Sequence, residues 1–140
     1  MPTPLSITTP ITVRFRDIDS MGHVNNAVYF TYFEEGRKVF IHELFGLERP
    51  SDFQFILAHV RCDYVKPVKL NDLVSLQVWI SDIGRKRFDM QYALTEAGNE
   101  ALVFAKGQST QVFYDYQASQ SRAIPDTVRS RLEPYWFKPE

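Results

Sequence analysis

The sequence predicts an α+β domain: an antiparallel sheet of five strands wrapped around one long helix. Three observations carry this. One apolar stretch of helical length, about Ala27 to Phe45, is stopped by Gly46, the residue type that most readily takes the left-handed turn ending a helix. The chain after it reads as successive strands joined mostly by tight turns, at Gly84-Arg85-Lys86 and Ala97-Gly98-Asn99, and tight hairpins demand antiparallel pairing. A single sheet on a single helix also leaves apolar surface uncovered, so a homo-oligomer is expected to cover it.

From the N-terminus, Ile11 to Phe15 reads as a short strand, because Val13 and Phe15 alternate with Arg14 and Arg16. Ser20-Met21-Gly22 is a turn. Asn25 or Asn26 is a good helix N-cap, since its side chain accepts from a free N–H one turn on. The first half of the helix, Val28 to Phe33, is apolar nearly all round, which predicts burial on most sides. Gly36 weakens the helix and implies close approach of another backbone. After Pro50-Ser51-Asp52, Phe53 to Val65 is one long extended segment, ended or bent by Lys66-Pro67. Leu73 to Ile83 places Val74, Leu76, Val78 and Ile80 on one face, and Arg87 to Thr95 does the same with Phe88, Met90, Tyr92 and Leu94. Ala101 to Tyr116 is the last long strand, and Ile124-Pro125-Asp126 opens a short helix, Thr127 to Glu133. His59 and Cys62 are expected in the core and His42 at the exposed helix end.

A chain of 140 residues, 44% hydrophobic with 11 Phe and 7 Tyr, is a single domain with a bulky core. Its 16 basic and 17 acidic residues give a formal charge of -1, which disfavours nucleic acid or an anionic membrane as main partner. The one cysteine excludes an internal disulfide and fits a reducing, cytoplasmic compartment. Met1 to Pro10 carries no signal-peptide pattern, and no apolar run reaches the roughly 18 residues of a membrane span.

The run Asp17-Ile18-Asp19-Ser20-Met21-Gly22-His23-Val24-Asn25-Asn26 gathers two carboxylates, a glycine turn, a histidine and two asparagines where the long helix begins. A helix N-terminus carries unpaired N–H groups and partial positive charge, which suit an anion or a developing oxyanion. A carboxylate beside it serves as base or nucleophile. Asp19 reads either as that carboxylate or as a turn acid; Asp17 reads as structural through turn hydrogen bonds. If the strand persists, the two acids point to the same side. His23 reaches substrate or Asp19, or is structural. Asn25 and Asn26 are explained by capping, with substrate contact as an addition. Glu34 reads as an i,i+4 partner of Lys38. Asp17, Asp19 and His23 match no standard metal site, and no cofactor is expected. Tyr29, Tyr32, Phe33, Phe53 and Phe55 are candidate acyl-pocket or core aromatics. Arg85-Lys86-Arg87, with Lys66 and Lys69, is the only dense positive cluster and suits phosphates, or is a solvated hairpin tip.

Taken in order, Phe15 to Asn26, Tyr29-Phe30 and Tyr32-Phe33-Glu34, Cys62 to Pro67, and Ile83 to Phe88 resemble the hotdog-fold thioesterases of the 4-hydroxybenzoyl-CoA thioesterase class. The resemblance covers roughly residues 11 to 134. It implies hydrolysis of acyl-CoA thioesters, or of acyl carrier protein thioesters, by a homodimer or homotetramer with active sites at the subunit interface. It implies Asp19 as the catalytic carboxylate and a backbone N–H near Asn26 as the oxyanion donor. His23, Asn25 and Tyr29, with Arg85 and Lys86 for the CoA phosphates, are the expected substrate contacts. A thioester already has a good leaving group, so an oxyanion donor and a carboxylate suffice. The alternatives from other classes are a non-catalytic acyl-CoA-binding module of the same fold, a hotdog dehydratase or hydratase, whose histidine motif is not present, and a ligand-free structural oligomer.

Overall fold

Val74, Leu76, Val78 and Ile80 face one way along their strand, Phe88, Met90, Tyr92 and Leu94 along theirs, and all eight are buried. This period-two burial is what lays a sheet over a helix. The computed structural model describes residues 5–46 and 54–137. Its elements are β1 (Ile7–Ile11), α1 (Val28–Phe45), β2 (Phe55–Tyr64), β3 (Val74–Ile83), β4 (Arg87–Glu96), β5 (Asn99–Asp115), β6 (Gln120–Ser121) and α2 (Asp126–Leu132). The strands pair antiparallel in the order β1-β3-β4-β5-β2, with the short β6 on the end of β5. The α+β class and the wrapped-helix architecture are as the sequence predicts. Among the described residues, no helix is long and apolar enough to cross a membrane.

Two glycines set how closely α1 meets the sheet. A Cβ on Gly36 would collide with the side chain of Leu76, and one on Gly107 of β5 would collide with the Phe33 ring. Phe33 uses that space to stack on Tyr92, with ring centroids 4.7 Å apart and an interplanar angle of 10°. The neighbour that Gly36 admits is therefore a side chain of β3, where the sequence suggested a backbone. Gly46 ends α1 in the left-handed conformation, as expected, its N–H donating to the His42 carbonyl.

Several expectations are corrected. The first strand is Ile7–Ile11, not Ile11 to Phe15. Residues Phe15–Asp17 instead form a 3₁₀ turn, closed by the Arg14 N–H donating to Asp17 Oδ2 at 2.9 Å, and Phe15 is 82% exposed. A side chain that accepts from nearby backbone competes with the strand ladder, and here it wins. Asn25 and Asn26 do not cap α1: its N-cap is Ala27, without a side-chain bond. Asn25 Oδ1 accepts from the Ala27 N–H, one residue too early. The first half of the helix is buried on most sides, as expected, with only Thr31 exposed between Val28 and Phe33; Thr31, Glu34, Lys38 and His42 form an exposed polar stripe. Glu34 pairs with Lys38 at 3.3 Å, as read from their spacing.

β2 accounts for the remaining differences. β2 lies at the sheet edge beside β5, and residues 65–73 cross to β3. A strand paired on one side and lightly covered by α1 exposes both faces. His59 is consequently exposed, not in the core, and Cys62 is only half-buried. Phe53 lies outside the described residues.

Candidate active site

The loop between β1 and α1 is held by its own polar groups. Gly22, at φ 81°, turns the chain in the left-handed region that favours glycine. Asp19 N–H donates to the His23 carbonyl at 2.7 Å, and Asp19 Oδ1 accepts from the N–H groups of Met21 and His23 at 2.8 and 3.1 Å. One carboxylate oxygen thus builds the turn. The other, Oδ2, has no hydrogen-bond partner among the described residues. Asp19 is a turn acid and a presented carboxylate at once.

Asp17 is different. It is 6% exposed, and its Oδ2 accepts from the Tyr32 hydroxyl at 2.8 Å as well as from the Arg14 N–H. Burial, then this hydrogen bond, holds the Tyr32 phenol far above its ordinary pKa. The two acids do not share a side. Asp17 ties the loop to α1, and its carbonyl accepts from the Asn25 N–H at 2.8 Å.

From Val24 to Val28 the amides are spoken for, with one exception. Val24 N–H donates to the Val68 carbonyl at 2.8 Å, Asn25 N–H to Asp17, and Ala27 and Val28 N–H to the side-chain and main-chain oxygens of Asn25, both at 2.9 Å. The Asn26 N–H has no partner among the described residues. The reason is geometric. A peptide unit is planar, so when the Asn25 carbonyl is directed into the helix by Val28, the Asn26 N–H at the other end points out of it.

Asp19, His23, Asn26, Tyr29 and Tyr64 line one cavity of 270 Å³, whose far wall is Val65 to Pro67. Tyr29 is its floor, 2% exposed, with burial raising its hydroxyl pKa. The Tyr64 ring meets Tyr29 edge-on at 4.8 Å, and its hydroxyl donates to the Asn26 carbonyl at 2.7 Å. The residues with the unpartnered carboxylate oxygen and the unpartnered helix-start amide, Asp19 and Asn26, thus line the same cavity. That pair suits attack on a carbonyl. Among the described residues, no three His, Cys, Asp or Glu side chains group to hold a metal ion.

Of the sequence-derived residues, Asp19, His23, Asn26 and Tyr29 meet in this cavity. Asn25 does not line it; its polar groups build the loop. Arg85 and Lys86 are exposed at the β3–β4 hairpin, at the opposite end of the sheet from Asp19. A ten-residue strand puts roughly 30 Å between the two ends. Tyr64 to Pro67 line the cavity, although sequence reasoning assigns this segment no site role beyond Lys66 in a positive cluster. Pro67, which bends the chain there, is the available signal.

Residues 13–132 match the model of the Thioesterase-like superfamily. The chain belongs to that superfamily. It is 29% identical over 133 residues to the long-chain acyl-CoA thioesterase FadM of Escherichia coli, covering 89% of this chain and 96% of that protein. A shorter match of 29% over 90 residues, to the uncharacterized protein YsmA of Bacillus subtilis, spans 64% of this chain and 61% of that one. A thioesterase of Thermus thermophilus, solved with coenzyme A and zinc, is 29% identical with a TM-score of 0.81 over 94% of this chain and 95% of that one. The fold is thus the hotdog fold of these thioesterases, and membership makes the chain a thioesterase-type enzyme.

Proposed function

We propose that the chain hydrolyses acyl-CoA thioesters to free acid and CoA. The observation that carries this is the pairing, in one cavity, of the open Asp19 Oδ2 with the unpartnered Asn26 N–H. The thioester oxygen accepts from that N–H as negative charge develops on it. Asp19 acts as general base, taking a proton from water as it attacks the carbonyl, or as nucleophile, giving a mixed anhydride that water opens. The C–S bond breaks; on the base route the CoA thiolate takes the proton that Asp19 removed from water, and on the nucleophile route it leaves as the anhydride forms and takes the proton released when water opens that anhydride. His23 and Tyr29 shape the approach to Asp19. CoA as carrier is supported by the relatives named for acyl-CoA substrates and by the neighbour solved with coenzyme A.

We infer that the working form is a homodimer joined through β2. Among the described residues, one edge of this ten-residue strand is unpaired, and the strand exposes Ile56, Leu57 and Tyr64. Long exposed edges invite pairing with another strand. The free thiol of Cys62 supports a reducing cytoplasm as the place of action.

The test is thiol release from a panel of alkyl- and aryl-CoA esters. Turnover of at least one class well above the uncatalysed rate is expected. CoA esters that bind without releasing thiol would reassign the chain to a binding module.

A further inference from the structure

The segment Tyr64 to Pro67 lines the cavity and has no role in the chemistry just described. Its most pointed contact is that of Tyr64, the last residue of β2. The hydroxyl donates to the Asn26 carbonyl at 2.7 Å, while the ring packs edge-on against Tyr29 at 4.8 Å. Resting on the reading of Asn26 as oxyanion donor, we propose that Tyr64 is a positioning residue for that amide.

Asn26 is held from both sides. On its N-terminal side, the peptide joining it to Asn25 is anchored by Val28 donating to the Asn25 carbonyl at 2.9 Å. On its C-terminal side, the next peptide offers a carbonyl at the exposed start of α1, where no helical bond reaches it. Tyr64 supplies the donor. With both flanking peptide planes fixed, the direction of the Asn26 N–H into the cavity is fixed before substrate arrives. Preorganised donors are effective because nothing has to reorient as charge develops. The anchor comes from β2, which is distant in sequence and otherwise touches α1 little, and Tyr64 is still 47% exposed. Its ring has its own packing partner, so the hydroxyl can be removed with the ring left in place.

The experiment compares wild type, Tyr64→Phe and Asp19→Asn on one CoA ester and on a short thioester lacking the nucleotide. Tyr64→Phe keeps the ring contact and should leave the melting temperature near that of wild type. Its kcat is expected to fall roughly two- to tenfold, the size of one net hydrogen bond. KM and the pH profile should stay unchanged, and both substrates should show the same loss. A merely structural hydroxyl would lower the melting temperature and leave kcat; a substrate-binding one would raise KM. Either result overturns the proposal. If Tyr64→Phe is as fast as wild type while Asp19→Asn is inactive, the positioning role fails and the thioesterase reading stands. If Asp19→Asn also turns over normally, the reading itself fails.

Discussion

Asp17 and Asp19 sit two positions apart and do opposite work, because one is sealed under Tyr32 and the other keeps an oxygen open to the cavity. The separation follows from the 3₁₀ turn at Phe15–Asp17, which rotates Asp17 inward. Tyr32→Phe removes the hydroxyl that satisfies Asp17 Oδ2 in a buried setting. It should destabilise the fold by about 1–3 kcal/mol, the cost of a buried acceptor losing a partner, read from the urea unfolding midpoint. An unchanged midpoint would show that the bond is not holding the loop. Cys62 gives a second check at this scale. Burial pushes its thiol up to about 11, so the thiolate is scarce at pH 8. Labelling by iodoacetamide should accelerate only as pH approaches that value. Fast labelling at pH 8 would contradict the burial described.

The fit of α1 to the sheet rests on missing side chains. Gly36→Ala gains up to about 1 kcal/mol of helix propensity. It also drives a methyl into Leu76, which is fully buried and has nowhere to go. Overpacking costs typically about 1–3 kcal/mol, so the net effect should be a lower thermal midpoint. A stabilised variant would mean that α1 stands further from β3. The elements are legible in the sequence where burial is one-sided. β3 and β4 carry alternation that no other structure satisfies, and Gly46 marks the end of α1. β2 is legible as a strand, but its place is not. Phe55-Ile56-Leu57-Ala58 is a continuous apolar run with no alternation to say which neighbours it has, and it lies at an edge. The stretch from Ile11 to Asp17 departs from its pattern because a few alternating residues weigh less than one side-chain bond to the backbone. At the candidate site, Asp19 and Asn26 are legible because loop and helix start are contiguous in sequence. Tyr64 is not, because only the fold brings β2 to that loop.

Over the whole molecule, Asp19 and the Arg85–Lys86 hairpin lie at opposite ends of one sheet. If β2 pairs antiparallel with its copy, the two-fold axis reverses the partner sheet, and the partner's hairpin arrives at the Asp19 end. Any phosphate contact by Arg85 and Lys86 would then come from the partner subunit. Arg85→Ala with Lys86→Ala should raise KM for CoA esters and leave a short thioester without the nucleotide unaffected. Equal effects on both substrates would discard phosphate binding. Leu57→Lys, at a position exposed in the single chain, should halve the mass seen by sedimentation while the circular dichroism spectrum is kept. A dimer that persists would place the interface elsewhere.

In the proposed reaction the open oxygen of Asp19 performs the chemistry. That role is tested most directly by single-turnover thiol release from the best CoA ester with Asp19→Asn, whose amide oxygen can still accept the Met21 and His23 amides. The variant should keep an intact fold and release thiol at a rate lower by about 10²–10⁴, the range of a general base. A folded Asn variant that releases thiol as fast as wild type would contradict that role.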